Sequence, residues 1–179
     1  IAEALRLCGH IDVLVNNAGI GGMGLAETFT TEQLQAIYNV NVFGVHRVTR
    51  AILPHLHARG RGLLVHISSG LGRVVIPFLG VYGSTKFALE SLAESYRYEL
   101  APLGIESVLV QPGAFGTDFG THSMMGADAD RGSAYGPLAQ LPMQMAAGMQ
   151  AMLSSPQAPQ PQEVADAVLR IVQTPAGQR

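Results

Sequence analysis

The chain has 179 residues, which is the size of a single domain. Its formal net charge is −2, its charged residues amount to 13%, and its apolar residues amount to 47%. Because the basic residues are scattered, the composition argues against a nucleic-acid-binding surface, and the apolar content excludes a disordered chain. We therefore expect one domain, residues 1–179, with a well-packed core and no nucleic-acid partner.

The single cysteine, Cys8, bears on the cellular setting. One cysteine cannot form an internal disulfide, which favours a reducing compartment, so we predict a cytoplasmic protein and interpret Cys8 as a packing residue. No apolar stretch approaches the roughly 20 residues of a membrane span, and the N-terminus lacks the basic and apolar regions of a signal peptide. We therefore expect no membrane span.

The first elements in chain order are a helix end and a buried strand. Residues 1–10 are typical of the last turns of a helix that Gly9 caps. The apolar run Ile11–Val15 predicts a buried parallel strand, and Asn16–Gly19 predicts the tight turn that follows it.

A long amphipathic helix is predicted from Thr30 to Arg50. Thr30 can cap its N-terminus, and Gln33, three residues later, completes a capping box. The apolar stripe that should face the core consists of Leu34, Ile37, Tyr38, Val45, Val48 and Ile52.

The remaining elements alternate between strand and helix. We predict strands at 62–68 and 105–111, a helix at 82–101, and a last helix at 162–172 after a proline-containing loop. This alternation implies right-handed crossovers and a parallel sheet. The predicted fold class is therefore α/β, with a doubly wound parallel sheet.

Tyr82, with Lys86 four residues later, is the most informative chemical pattern. On a helix the two side chains share one face, about one turn apart. An unperturbed tyrosine titrates near ~10, and a fixed cation nearby favours the phenolate, so we expect Lys86 to lower the pKa of Tyr82. Such a phenol could exchange a proton with a carbonyl or carbinol oxygen. By itself, a Tyr–Lys pair at this spacing is more often a surface contact.

Four further motifs accompany this pair. The five motifs, in chain order, are Asn16-Asn17-Ala18-Gly19, Asn41-Val42-Phe43-Gly44, Ile67-Ser68-Ser69-Gly70, Tyr82 to Lys86, and Pro112-Gly113 followed by Thr117. In these motifs and in the spacing from Ser69 to Tyr82, the chain resembles the short-chain dehydrogenase/reductase family from about Ile11 to Phe119. The resemblance implies a Rossmann-like fold and an NAD(P)-dependent oxidoreductase that interconverts an alcohol and a carbonyl by hydride transfer.

The resemblance implies four catalytic residues. Tyr82 would be the general acid in reduction and the general base in oxidation, and Lys86 would lower its pKa and bind the nicotinamide ribose. Ser69 would orient the substrate oxygen; family spacing favours it over Ser68, although a local bulge could exchange the two. Asn41 would hold a water in a proton relay through the lysine. From the residues alone, the place of Asn41 on the apolar stripe favours a structural amide whose hydrogen bonds are all made, and the two roles are compatible with each other.

The resemblance also implies cofactor contacts and a substrate loop. The cofactor, NAD or NADP, would contact Asn17, Ala18, Gly19, Tyr82, Lys86, Pro112, Gly113 and Thr117. A mobile loop at about 118–153 would cover a small apolar alcohol or carbonyl. Core packing is the alternative for four methionines in this loop, Met143, Met145, Met149 and Met152. No histidine spacing suggests a metal site, and pairing through the two long helices would give a homodimer or homotetramer.

The family's glycine-rich turn, which receives the cofactor pyrophosphate, should follow a first strand well before Ile11. Only ten residues precede Ile11. We therefore expect the first strands and the last strand of the family fold to be missing, so that the Ile11 strand lies at an exposed edge. Two alternatives to an active enzyme stay open: a non-catalytic fragment that cannot bind a dinucleotide tightly, and a less favoured scaffold protein.

Overall fold

A computed structural model describes residues 1–179. The chain forms five strands and seven α-helices. The strands are β1 (Val13–Asn16), β2 (Gly22–Met23), β3 (Gly62–Ile67), β4 (Ile105–Val110) and β5 (Met124–Met125). The helices are α1 (Ala2–Cys8), α2 (Thr31–Tyr38), α3 (Val45–Arg59), α4 (Gly80–Leu100), α5 (Ala129–Ser133), α6 (Leu141–Leu153) and α7 (Gln162–Gln173). The predicted strands and helices agree with these bounds to about two residues, except for the helix predicted from Thr30.

The main sheet is parallel and has the strand order β1-β3-β4. Helices α2 and α3 connect β1 to β3, and α4 connects β3 to β4. The predicted α/β class, a partial doubly wound parallel sheet, is therefore confirmed. Strand β1 lies at an edge of this sheet, as expected, and α7 is the last element.

An apolar cluster fixes the helices against the sheet. It joins α3, β3, α4 and β4 through five side chains that are each at most 5% exposed: Ile52, Leu56, Leu64, Leu100 and Ile105. Because β3 and β4 run parallel, their carboxyl ends meet at one edge of the sheet, where open α/β sheets bind ligands. Helix α4 packs against β4, and its Lys86 side chain donates to the Ile67 carbonyl at the end of β3, so its N-terminal turns lie at the same edge.

The helix predicted from Thr30 contains a change of helical type. The capping box is confirmed, because the backbone N–H of Gln33 donates to Thr30 Oγ1 and that of Thr30 donates to Gln33 Oε1, both at 3.2 Å. A π-helical stretch at Asn39–Gly44 then separates α2 from α3. Its wider turn shifts the apolar stripe, so that Thr49 is fully buried while Val48, predicted to face the core, is 39% exposed.

Residues 118–153 form a lobe beside the main sheet. This lobe contains β5, α5 and α6. Strand β5 pairs in parallel with β2. The Gln33 side chain strengthens this junction, because its amide donates to the Met125 carbonyl at 2.9 Å and accepts from the Ala127 N–H at 3.0 Å. None of the four methionines of α6 is buried, so the core-packing alternative for them is wrong.

The N-terminal helix ends as the sequence predicts. Gly9 has a φ of 76°, and its N–H donates to the Leu5 carbonyl. Cys8, expected to be a packing residue, is exposed, so that interpretation is wrong. Among the helices, none combines the length and the apolar character that crossing a membrane requires.

Candidate active site

Tyr82 and Lys86 lie in the first turns of α4 and face the interior. Tyr82 is 7% exposed and Lys86 is 4% exposed, so this pair is not the surface contact that such a spacing commonly forms. The Lys86 ammonium donates to the Ile67 carbonyl at the end of β3, with an N–O distance of 2.9 Å. It also lies over the Tyr82 ring, 5.6 Å from the ring centroid. Helix α4 therefore delivers the two side chains to the carboxyl edge of the sheet.

Burial dominates the protonation of both groups. Desolvation raises the pKa of Tyr82 to about 12, and the Ser69 hydroxyl, as a hydrogen-bonding partner, lowers it by less. Desolvation lowers the pKa of Lys86 to about 8, while the negative charge of Glu90 acts in the opposite direction. The expectation that Lys86 brings the pKa of Tyr82 below its ordinary value is therefore wrong. Burial gives the reason, since removing the phenol from water disfavours the charged phenolate.

The two serines after β3 have different surroundings. Ser68 is buried, and its hydroxyl donates to the Glu90 carboxylate at 2.7 Å. Ser69 is half-exposed and accepts from the Leu71 N–H at 3.2 Å. Its hydroxyl is also a hydrogen-bonding partner that lowers the pKa of the Tyr82 phenol. The structure thus places Ser69 on the side of the tyrosine and turns Ser68 away from it.

Asn41 lies in the π-helical stretch and is 1% exposed. Its amide nitrogen donates to the Ile20 carbonyl and to Thr85 Oγ1, both at 2.9 Å, and its oxygen accepts from the Ile20 N–H at 2.9 Å. Both N–H donors of the amide are therefore used. Asn41 ties the turn after β1 to α4, which is the structural role that the sequence left open.

Gly19 brings this turn to the catalytic pair. A Cβ atom at Gly19 would lie 3.4 Å from Asn41 Oδ1 and 3.8 Å from Lys86 Nζ. The neighbouring Asn17 and Ala18 are exposed. The backbone after β1 therefore approaches the lysine closely, and a side chain at Gly19 would fill the space beside the ammonium.

The remaining predicted cofactor contacts follow β4. Pro112 is half-buried, and its carbonyl accepts from the Gly70 N–H at 3.0 Å, which joins it to the turn that contains Ser69. Gly113 is exposed and has open space around it. Thr117 is also exposed, and its hydroxyl accepts from the Phe119 N–H at 3.3 Å. Pro112 therefore lies beside the site, whereas Thr117 is linked to it only through Phe119, whose ring contacts Tyr82.

Two residues of the site were not singled out from the sequence. Phe119 packs edge-on against Tyr82, with the ring centroids 5.6 Å apart, so the 118–153 lobe touches the phenol. Glu90 is 3% exposed and follows Lys86 by one helical turn. One sequence signal could have strengthened the assignment: of the 11 basic residues, ten are arginines, and Lys86 is the only lysine in the chain.

Comparison with known proteins identifies the family to which this chain is similar. The model of the short chain dehydrogenase family matches residues 1–126. The 3-ketodihydrosphingosine reductase of Bacteroides thetaiotaomicron is 42% identical over 111 residues, which represent 62% of this chain and 41% of that reductase.

Solved structures give the same result. A short-chain dehydrogenase from Streptomyces avermitilis superposes with a TM-score of 0.80 at 32% identity, covering 99% of this chain and 62% of that one. A gluconate 5-dehydrogenase from Burkholderia cenocepacia, in complex with NADP and tartrate, has a TM-score of 0.64 at 33% identity, covering 66% of this chain and 46% of that one. The chain therefore spans between 41% and 62% of the length of these relatives. Because the family model covers well over half of the residues, the chain belongs to the short-chain dehydrogenase family.

Proposed function

We propose that this chain carries the proton-transfer site of an NAD(P)-dependent oxidoreductase that interconverts an alcohol and a carbonyl. The proposal is carried by one observation: Tyr82 and Lys86 form a buried pair, and the Ser69 hydroxyl is a hydrogen-bonding partner of the Tyr82 phenol. These groups meet at the carboxyl edge of a parallel sheet, where ligands bind in such folds.

In the direction of reduction, the phenol of Tyr82 donates its proton to the carbonyl oxygen of the substrate. Burial keeps this phenol protonated, because its pKa lies at about 12. Lys86, with a pKa of about 8, is mostly cationic at neutral pH and stabilises the phenolate that remains. The Ser69 hydroxyl orients the substrate oxygen, and Asn41 holds the turn after β1 in place. Oxidation of an alcohol requires the reverse proton transfer.

The residues at this edge fit the nicotinamide half of a dinucleotide. When bound, NAD(P)H supplies the hydride that the reduction requires. Lys86 would hold the ribose, with the turn at Asn17–Gly19 on one side and Pro112, Gly113 and Thr117 on the other. The close approach of Gly19 supports this assignment, because a Cβ there would lie in van der Waals contact with the Lys86 ammonium, 3.8 Å away.

The substrate that suits the site is a small apolar ketone, aldehyde or alcohol. Phe119 gives the site an aromatic wall against Tyr82. The relative in Bacteroides thetaiotaomicron is named for a keto compound, which agrees with carbonyl chemistry.

The test is a comparison of Tyr82→Phe with Tyr98→Phe in the protein expressed from the complete reading frame. Tyr98 lies on the same helix but is 75% exposed, so it is a matched control. With NADH or NADPH and a panel of apolar ketones, Y82F should lower kcat by ~10²–10⁴-fold, because it removes only the proton donor. Y98F should keep the wild-type rate. A Y82F protein that is folded and retains its activity would overturn the assigned role.

A non-catalytic protein is the second candidate. The glycine-rich stretch from Gly19 to Gly24 contains β2 and leads into a 3-10 turn rather than into the N-terminus of a helix, so this stretch does not form the usual pyrophosphate site. Calorimetric titration of the 179-residue chain with NADH and NADPH separates the candidates. Saturable binding supports the oxidoreductase, and no binding at millimolar cofactor supports the alternative for this chain.

A further inference from the structure

Glu90 is a buried carboxylate for which the proposed chemistry has no direct use. It accepts hydrogen bonds from Ser68 Oγ at 2.7 Å and from Gln111 Nε2 at 2.8 and 2.9 Å. Its second oxygen forms an ion pair with Arg73. A buried charge is costly unless it is paired and hydrogen-bonded, and Glu90 has both kinds of partner.

The partners of Glu90 come from the segments that carry the site. Ser68 is the first residue after β3 and precedes Ser69, whereas Gln111 is the first residue after β4 and precedes Pro112. One carboxylate on α4 therefore joins the carboxyl ends of both strands.

The loop between Ser69 and α4 also closes on this carboxylate. Arg73 reaches it from the loop, and a Cβ atom at Gly72 would lie 2.2 Å from Glu90 Oε1. Because a side chain at Gly72 would collide with the carboxylate, the loop backbone is fitted to Glu90.

We propose that Glu90 is a positioning residue: it clamps the ends of β3 and β4 to the helix that carries Tyr82 and Lys86, and it is the counter-charge of that lysine. This inference rests on the function proposed for the Tyr82–Lys86 pair. Glu90 touches neither substrate nor reacting atoms, so it acts through Lys86 and through the strand ends.

Four charged groups take part in this arrangement. Lys86 precedes Glu90 by one turn of α4, and Arg73 approaches from the solvent side. Arg73 is 54% exposed and also pairs with Glu94, whose side chain is 44% exposed. Burial lowers the pKa of Lys86, and the charge of Glu90 opposes that change. Glu90 is thus the negative charge that favours the ammonium form of Lys86, and Arg73 partly neutralises it.

The only lysine of the chain makes this arrangement directly measurable. Protein grown with lysine labelled with carbon-13 at Cε gives a single side-chain signal in NMR spectra, and its pH titration reports the pKa of Lys86 without any turnover. In Glu90→Gln the midpoint should fall by on the order of one pH unit, because the negative charge that favours the ammonium form is lost. Glu94→Gln is the matched control and should move it by less than ~0.2, since its charge is exposed and screened.

Arg73→Gln keeps the test decisive if the Glu90 variant does not fold. Arg73 is exposed, so its loss should leave the core intact, and the Lys86 midpoint should rise because the carboxylate is no longer neutralised from outside. The inference would be overturned if the Lys86 midpoint is unchanged in R73Q and E90Q either leaves it unchanged or fails to fold. Equal shifts in E90Q and E94Q would overturn it as well, since they would reflect net charge alone. A lack of turnover in the wild type would instead count against the proposed function.

Discussion

The strand ends around Tyr82 and the lobe at 118–153 are held by opposite kinds of contact. Around Tyr82, the polar side chains of Asn41, Lys86 and Glu90 are each at most 4% exposed and bond to neighbouring segments. The lobe pairs β5 with β2 through the backbone, but its side-chain bonds, such as those of Arg131 and Tyr135 to Glu27, lie at the surface.

This difference predicts different stabilities for the two regions. A buried polar group left without its partner costs its full desolvation, whereas an exposed ion pair contributes little. The site should therefore open only when the whole domain unfolds, while the lobe should separate from it at lower free energy. Four predictions test this contrast, from the largest expected effect to the smallest.

Leu64→Ala should produce the largest loss of stability. Leu64 is fully buried in the central cluster on β3, so its truncation should lower the free energy of unfolding by about 2–5 kcal/mol. Met143→Ala, in the lobe, should change it by less than ~0.5 kcal/mol because Met143 is 66% exposed. Urea denaturation measures both values. Similar losses for the two variants would contradict the contrast between core and lobe.

Acid should destabilise the domain through His66. This side chain is fully buried on β3, its Nδ1 accepts from Asn16 at 3.3 Å, and its Nε2 has no partner. Burial lowers the pKa of His66 from 6.5 to about 4, so the folded state favours the neutral ring. The stabilisation is present above pH 6.5 and is lost as the pH falls toward 4, because the unfolded chain then binds the proton more readily. The loss should total on the order of 3 kcal/mol.

Urea midpoints measured from pH 7.5 to 4 check the role of His66. His66→Phe should remove this part of the pH dependence, because the new ring cannot titrate. His57→Phe is the control, since His57 is exposed near the end of α3. If H66F retained the full wild-type pH dependence, the acid lability would belong to other groups.

Asn41→Ala should cost about 1–3 kcal/mol of unfolding free energy. It removes three hydrogen bonds and leaves the polar groups of Ile20 without their partner. Asn39→Ala, at an exposed position of the same π-helical stretch, is the matched control and should have a small effect. Thermal and urea unfolding of the two variants give the comparison. Equal costs would show that the stretch itself, rather than the buried amide, is sensitive.

Gly126→Ala should release the lobe with little effect on global stability. A Cβ at Gly126 would lie 1.9 Å from Thr28 Oγ1 and 2.8 Å from the Thr28 carbonyl carbon, so the junction beside β2 cannot close unchanged. Gly148→Ala, in α6 with open space around it, is the control. Limited proteolysis should cut residues 118–153 faster in G126A than in G148A, at similar urea midpoints. Equal cleavage rates would indicate that this junction does not hold the lobe.

The sequence predicted the fold well because its signals are local. The apolar run at Ile11–Val15 and the capping box at Thr30 depend on neighbouring residues alone, and both lie where the spacing places them. The four-residue spacing of Tyr82 and Lys86 puts them on one face of any helix. Periodicity along the chain could not reveal the π-helical stretch that shifts the apolar stripe. This stretch is stabilised by hydrogen bonds of Asn41 to Ile20 and Thr85, which are distant in sequence.

By itself, the sequence determined the order of strands and helices and the placement of Tyr82 and Lys86 on one face of α4. Only the tertiary structure decided their protonation and their supports. Desolvation outweighs the hydrogen bond of Ser69 in setting the pKa of Tyr82, and Glu90 bonds to residues 22 and 21 positions away. Desolvation and long-range contacts depend on which segments surround a group in space, and this information is not contained in the spacing along one helix.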